Sequence, residues 1–179
     1  MERMLNLKVE KDIKIIIFRR IFEEMKRCVK KTFPNEAFGL IFGIIKEIEN
    51  PDIKNDFFYH YFSKEFKCIK PDKKSIVSFL INDEEKLYNI LNQYLTKGKE
   101  NERLRLISIF HSHPSGTALS STDIKNMQYL NDFSKTNSKY VSRAFKNLVW
   151  VIMDGKNYNL DGYILLSNEL YKIDLIVKE

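Results

Sequence analysis

"IFHSHPSGTALSSTDI", Ile109 to Ile124, is the stretch on which the reading of this chain turns. The sequence has three histidines in 179 residues, and two of them, His111 and His113, stand one residue apart at the end of an apolar run. Asp123 follows ten positions after the second. Successive side chains of a β-strand alternate between faces, so these two imidazoles project to one side with Cα atoms roughly 6.5 to 7 Å apart. That spacing suits two nitrogens converging on one ion. Zinc takes His nitrogens at about 2.0 to 2.1 Å, and catalytic zinc keeps about three protein ligands and one position for water. Asp123 becomes a third ligand if the intervening loop folds back, and Pro114 and Gly116 give that loop a break and a permissive hinge. A structural reading competes. Histidines at i and i+2 also serve as ordinary hydrogen-bonded residues, and Ser120-Ser121-Thr122-Asp123 is a capping-box pattern for the helix it opens. The two readings of Asp123 are compatible, because a carboxylate in a first helical turn can satisfy the helix end and still present an oxygen to a metal.

Around this stretch the chain alternates helical and strand-like segments. "RLRLISIFHSH" reads as a strand whose final part is apolar on both faces, hence central in a sheet. After it, Ile124, Met127, Leu130 and Phe133 recur at helical spacing. Before it, "NDEEKLYNILNQYLTKG" sets Leu87, Ile90, Leu91, Tyr94 and Leu95 on one helical face, with acids in the first turn and Gly98 as terminator. Residues 7–18 lean toward strand, and "RRIFEEMKRCVKKTF" places Ile21, Phe22, Met25, Cys28 and Val29 at helical spacing until Pro34 stops it. "EAFGLIFGIIKEI" is a buried strand in which Gly39 and Gly43 allow close backbone approach. "NDFFYHYFSKEFKCI" is an aromatic strand between turns at Asn50-Pro51 and Pro71-Asp72. Residues 147–177 read as several strands, with Asp154-Gly155 the best hairpin signal. The fold class this order implies is α+β, an α-β-α sandwich around a mixed sheet.

Composition narrows the function classes. With 44% hydrophobic residues and no Pro/Gly/Ser-rich linker or repeat, residues 1–179 read as one folded domain. The longest apolar run near the N-terminus, Ile15 to Phe18, is too short for a signal-peptide core or a membrane span, so a cytoplasmic location without membrane association is expected. The net charge of +6 comes from 30 basic residues among 24 acidic ones, a mixed surface without an aromatic-basic RNA-binding signature, which argues against nucleic acid as a partner. Cys28 and Cys68, forty positions apart, suggest neither a disulfide framework nor a cysteine zinc cluster and read as buried thiols. His60 and Trp150 read as packing residues.

"HSHPSGTALSSTD" resembles the signature of the JAMM (MPN+) metalloprotease family, histidine-x-histidine-proline followed by S-x-x-D. The family also carries an upstream glutamate in a Pro-x-Glu-Ala-x-Gly-Leu-x-x-Gly phrase, and "PNEAFGLIFG", Pro34 to Gly43, is similar to it throughout. The likeness spans roughly residues 10 to 165, and the element order read above is the family's. At one point the chain departs: six residues separate His113 from Ser120, one fewer than the family pattern.

The resemblance implies an MPN-type, cytidine-deaminase-like sandwich with one zinc ion and its catalytic water, held by His111, His113 and Asp123. Asp132, the next carboxylate, lies too far along the helix to replace Asp123. The resemblance further implies that Glu36 is the general base and that Ser120 donates to the oxyanion. For Ser120 the competing role is helix N-cap, with Ser121 as the alternative cap. The implied activity is an isopeptidase that cuts the amide between the C-terminal Gly-Gly of ubiquitin, or a ubiquitin-like modifier, and a lysine of a conjugated protein. The tail is an extended strand that can add to a sheet edge beside the zinc, and residues 50–75 and 131–147 fall where relatives carry contact elements. Two alternatives remain open: processing of a sulfur-carrier protein's C-terminal conjugate in thiolation or cysteine biosynthesis, and a scaffold subunit of the non-catalytic MPN type. Such subunits lack the ligand set that this chain retains.

Overall fold

A computed structural model describes residues 12–69, 84–95, 104–136 and 144–179. The strands are β1 (Ile13–Phe18), β2 (Phe38–Glu49), β3 (Phe57–Ile69), β4 (Arg105–His113), β5 (Val149–Asp154), β6 (Leu160–Leu166) and β7 (Glu169–Lys178). Three helices interleave with them, α1 (Arg19–Thr32), α2 (Glu84–Leu95) and α3 (Ser121–Thr136). The class is α+β with a mixed sheet, as the sequence implies. The expected strand start at residues 7–11, the Pro71-Asp72 turn and the Gly98 helix stop lie outside the described residues.

The strands hydrogen-bond in the order β1-β3-β2-β4-β5-β6-β7, and β7 pairs back in parallel onto β1, so the sheet closes into a barrel. β1 with β3 and β4 with β5 are also parallel, while the other neighbours are antiparallel. Closure is not visible in the strand pattern, because it depends on the pairing of the first and last strands.

Two apolar clusters fill the fold. One draws on all seven strands, with Ile15, Ile17, Ile41, Tyr61, Ile107, Phe110, Val151, Ile164 and Ile173 among its members, together with Ile21, Met25, Cys28 and Val29 of α1. The other joins Leu40, Phe42, Leu106, Ile109 and Trp150 to Leu87, Ile90 and Leu91 of α2 and Met127 and Leu130 of α3. Tyr94 of α2 stacks on Phe42 with ring centroids 4.3 Å apart. β4 supplies both clusters, and it does so through a bulge. Ile41 faces Ser108 and Phe42 faces Leu106, which leaves Ile107 without a partner on β2. An extra residue flips every following side chain to the opposite face. Beyond it Phe110 falls in the first cluster and Ile109 in the second, so His111 and His113 emerge on the face that α2 and α3 cover.

The reading of the cysteines requires a correction. Cys28 of α1 and Cys68 of β3 form a disulfide, with Cα atoms 5.9 Å apart. Spacing along the chain could not show it, because the pairing depends on α1 packing against β3. The β5–β6 hairpin turns after Asp154, as the Asp154-Gly155 pair indicates. The β6–β7 turn uses Ser167 and Asn168, both at positive φ (50° and 66°), and carries no glycine to announce it. No helix among the described residues is long and apolar enough to cross a membrane.

Gly43 provides the sharpest test of this register. A Cβ there would stand 1.9 Å from the carbonyl oxygen of Phe62 and 2.8 Å from Ile107 Cδ1. Gly43→Ala is therefore expected to destabilise the fold by at least about 2 kcal/mol, since backbone must move. Gly116→Ala, at φ +80° with open space around it, should cost only about 1 kcal/mol. Urea midpoints of the two variants measure the difference, and equal losses would refute the β2–β3 register.

Candidate metal centre

β4 delivers the two histidines. It is paired with β2 on one side and with β5 on the other, where Ser108 to His113 run beside Val149 to Asp154. His111 is buried at 1% exposure, and its ring lies between two aromatic neighbours: Phe38 stacks on it at 6.0 Å and Trp150 meets it edge-on at 5.9 Å. Trp150 thus packs in the core, as the sequence suggests, and also fixes a candidate ligand.

The third side chain arrives through the helix cap. α3 begins at Ser121, which makes Ser120 the N-cap. The Asp123 N–H donates to Ser120 Oγ at 3.1 Å, and the Ser120 N–H donates to Asp123 Oδ2 at 2.6 Å, a reciprocal capping box. Ser121, the alternative cap, is not used as one. The box rotates the Asp123 carboxylate toward β4, where Oδ1 lies 3.1 Å from His111 Nε2 and Oδ2 lies 3.2 Å from His113 Nε2. The two Nε2 atoms are 2.9 Å apart. The shorter loop between His113 and Ser120 therefore still brings Asp123 to both histidines. Burial opposes the charge on Asp123, yet hydrogen bonds from His111 and Ser120 outweigh it and hold the carboxyl well below the usual carboxylate range. At neutral pH it is an anion.

This cluster fits a metal on its own geometry. Both Nε2 atoms face a carboxylate, so each would carry a proton to donate, but two N–H groups 2.9 Å apart repel one another. Protons cannot satisfy all three contacts together, whereas one divalent cation can. Ligand atoms around a tetrahedral zinc with arms of about 2.0 to 2.1 Å lie about 3.3 Å apart, close to the separations seen here. His111, His113 and Asp123 form a His-His-Asp group that could hold a metal ion.

Glu36 lies two residues before β2 and is half-buried. The Ser112 N–H donates to the Ala37 carbonyl at 3.0 Å, and the Ala37 N–H donates to Ser112 Oγ at 2.9 Å. These bonds carry the contact between the two segments one residue past the Phe38–His111 pair, so the residue that follows Glu36 is held against Ser112, between the two histidines in sequence. β4 is thus flanked on both sides up to its end.

Sequence reasoning missed the groups that hold the intervening loop. The Gly116 N–H donates to Asp154 Oδ2 at 2.8 Å, the Thr117 hydroxyl to Asp161 Oδ2 at 2.6 Å, and the Tyr163 hydroxyl to the Thr117 carbonyl at 3.1 Å. The Gly155 N–H donates to the His113 carbonyl at 2.8 Å. Asp154 was legible only as a turn former; Asp161 and Tyr163 carried no signal. His60 lies on β3, away from the metal group, and burial and then Lys14 depress its pKa.

The chain is similar to a family of known sequences and to several solved structures. The family of prokaryotic homologues of the JAB domain matches residues 18–161. No curated protein matches significantly. Among solved structures, a protein from Desulfitobacterium hafniense determined in solution superposes with a TM-score of 0.58 at 18% identity, covering 92% of this chain and 93% of that one. A JAB1/MPN domain protein from Archaeoglobus fulgidus gives 0.45 at 13% identity, covering 91% and 98%. A structure described as JAMM, a metalloprotease-like zinc site in the proteasome and signalosome, gives 0.41 at 12%, covering 92% and 97%. The family match covers well over half of the sequence, and the chain belongs to the Prok-JAB family, the prokaryotic homologues of the JAB domain.

Proposed function

We propose that this protein is a zinc-dependent isopeptidase that hydrolyses the amide between the C-terminal Gly-Gly of a ubiquitin-like modifier and a lysine amine. One observation carries the reading: the Nε2 atoms of His111 and His113 and the Asp123 carboxylate crowd to within 3.2 Å of one another, in a way a single cation resolves. His111, His113 and Asp123 would hold the zinc, which would supply Lewis acidity and make water a stronger acid.

The chain's own groups do the rest. Glu36, next to the Ala37 that bonds Ser112, accepts a proton from the attacking water and returns it to the lysine nitrogen as the C–N bond breaks. The new C–O bond leaves the modifier with a free carboxylate. Ser120 can serve in both of its candidate roles. As N-cap its oxygen accepts from Asp123, which leaves its own proton free to donate to the developing oxyanion, and the residue is exposed. The cap is worth about 1 kcal/mol, and an oxyanion donor about 100- to 1000-fold in rate. A sulfur-carrier conjugate with the same Gly-Gly end would be cut by the same groups.

Three outcomes test this. Elemental analysis of protein purified without chelator should give about one zinc per chain, and a value near zero that dialysis against zinc does not restore would end the metal assignment. His113→Ala should lose the metal, whereas Glu36→Gln should retain it and lose turnover, because an amide cannot take the proton; near wild-type hydrolysis by Glu36→Gln would remove Glu36 from the mechanism. For the substrate, replacing the last glycine of the tail by valine should slow cleavage by about 100-fold, through misplacement of the scissile bond by about 1 Å. Equal rates on Gly-Gly and Gly-Val conjugates, at matched zinc occupancy, would indicate a broad metallopeptidase.

A further inference from the structure

The loop from Pro114 to Ser120 has an unusual burden: it joins two candidate ligands on β4 to a third on α3, and its six residues between His113 and Ser120 contain a glycine at φ +80°. A short segment with a left-handed glycine and an exposed course has little to hold it from within. Its anchors come from elsewhere. Asp154, at the end of β5, stands beside His113 in the parallel register and is 7% exposed, a buried carboxylate without a cation partner among the described residues. Its two oxygens do different things. Oδ1 accepts from the Lys156 N–H at 2.7 Å, which shapes its own hairpin turn, and Oδ2 reaches across to the Gly116 N–H at 2.8 Å. These backbone donors hold the carboxyl below the usual carboxylate range. One residue further, Thr117 is gripped by Asp161 and Tyr163 of β6.

We infer that Asp154 is a positioning residue for the metal centre: by tying Gly116 to the β5–β6 turn, it sets where the loop delivers α3, and thereby holds the Asp123 carboxylate against His111 and His113. The inference rests on the metal reading proposed above, and it names a residue that touches neither the metal nor the substrate. A turn former alone would need only Oδ1. The second oxygen, spent on a loop 38 residues earlier in the chain, is what a positioning role requires.

The test compares wild type with Asp154→Asn and Thr117→Val. An asparagine side chain keeps the shape but offers one acceptor oxygen, so it cannot serve both amides. Asp154→Asn should weaken zinc binding, read by chelator competition, by about 10- to 100-fold, as loss of outer-shell partners does. It should also alter the visible spectrum of the cobalt-substituted protein and speed hydrogen exchange of the Gly116 amide in metal-free protein. Thr117→Val, which removes the Asp161 bond, should act in the same direction with a smaller effect. A lower melting temperature with unchanged zinc affinity would reduce Asp154 to a turn former and overturn the inference, as would unchanged Gly116 exchange. If Asp154→Asn fails to fold, Thr117→Val and Asp161→Asn decide by the same two readouts. If wild type binds no zinc, the isopeptidase reading falls, and Gly116 exchange still shows separately whether Asp154 restrains the loop; the positioning role at a metal falls with that reading.

Discussion

Two imidazole nitrogens 2.9 Å apart, each also within 3.2 Å of the same carboxylate, form an arrangement that costs free energy unless a positive charge sits among them. Much of the surrounding structure acts to keep that arrangement from relaxing. His111 cannot swing away, because Phe38 and Trp150 bracket its ring. β4 cannot slide, because it is bonded to β2 and β5 on its two sides. Asp123 cannot turn outward without giving up the Ser120 N–H. An isolated group of this kind would drift apart, and the packed strand and capped helix prevent it. The Nδ1 of His111 is buried and has no hydrogen-bond partner among the described residues.

What the sequence disclosed about this site follows from the range of each signal. Alternation along a strand and the four-residue capping pattern are local, so the shared face of His111 and His113 and the Ser120–Asp123 box were legible. The alternation argument survives because the β4 bulge lies at Ile107, before the histidines rather than between them. Had it fallen at Ser112, the same letters would have placed the rings on opposite faces. Which face they share was not legible, since it depends on that bulge. Glu36 could be singled out only through the likeness of "PNEAFGLIFG" to a family phrase, because nothing local distinguishes one carboxylate among twenty-four acidic residues. The disulfide, the barrel closure and the Asp154 tie join residues distant in sequence, where pattern reading has no purchase.

The burial of the cluster also has a direction. His111 is sealed at 1% exposure, while the side chains of His113 and Asp123 retain 13% and 11%. Ser120 is exposed, and Glu36 is half-buried. Within the cluster the solvent-facing side is therefore that of His113 and Asp123, and the sealed side is that of His111 against Trp150.

At its C-terminal end, β2 outruns its neighbour β4. Its pairing with β4 ends at Gly43, yet it continues beside β3 to Glu49, so among the described residues Ile44 to Glu49 bond on one flank only. Such an overhang presents unsatisfied backbone donors and acceptors, the template on which separate molecules stack into fibrils. Here Lys46, Glu47 and Glu49 are exposed along the overhang, with Ile48 the apolar exception at 40% exposure. Parallel, in-register stacking of identical copies would bring like charge against like at Lys46, Glu47 and Glu49, which makes it unfavourable. The protein's colloidal behaviour at high concentration should thus depend on these few side chains, at the end of the strand farthest from its chemistry.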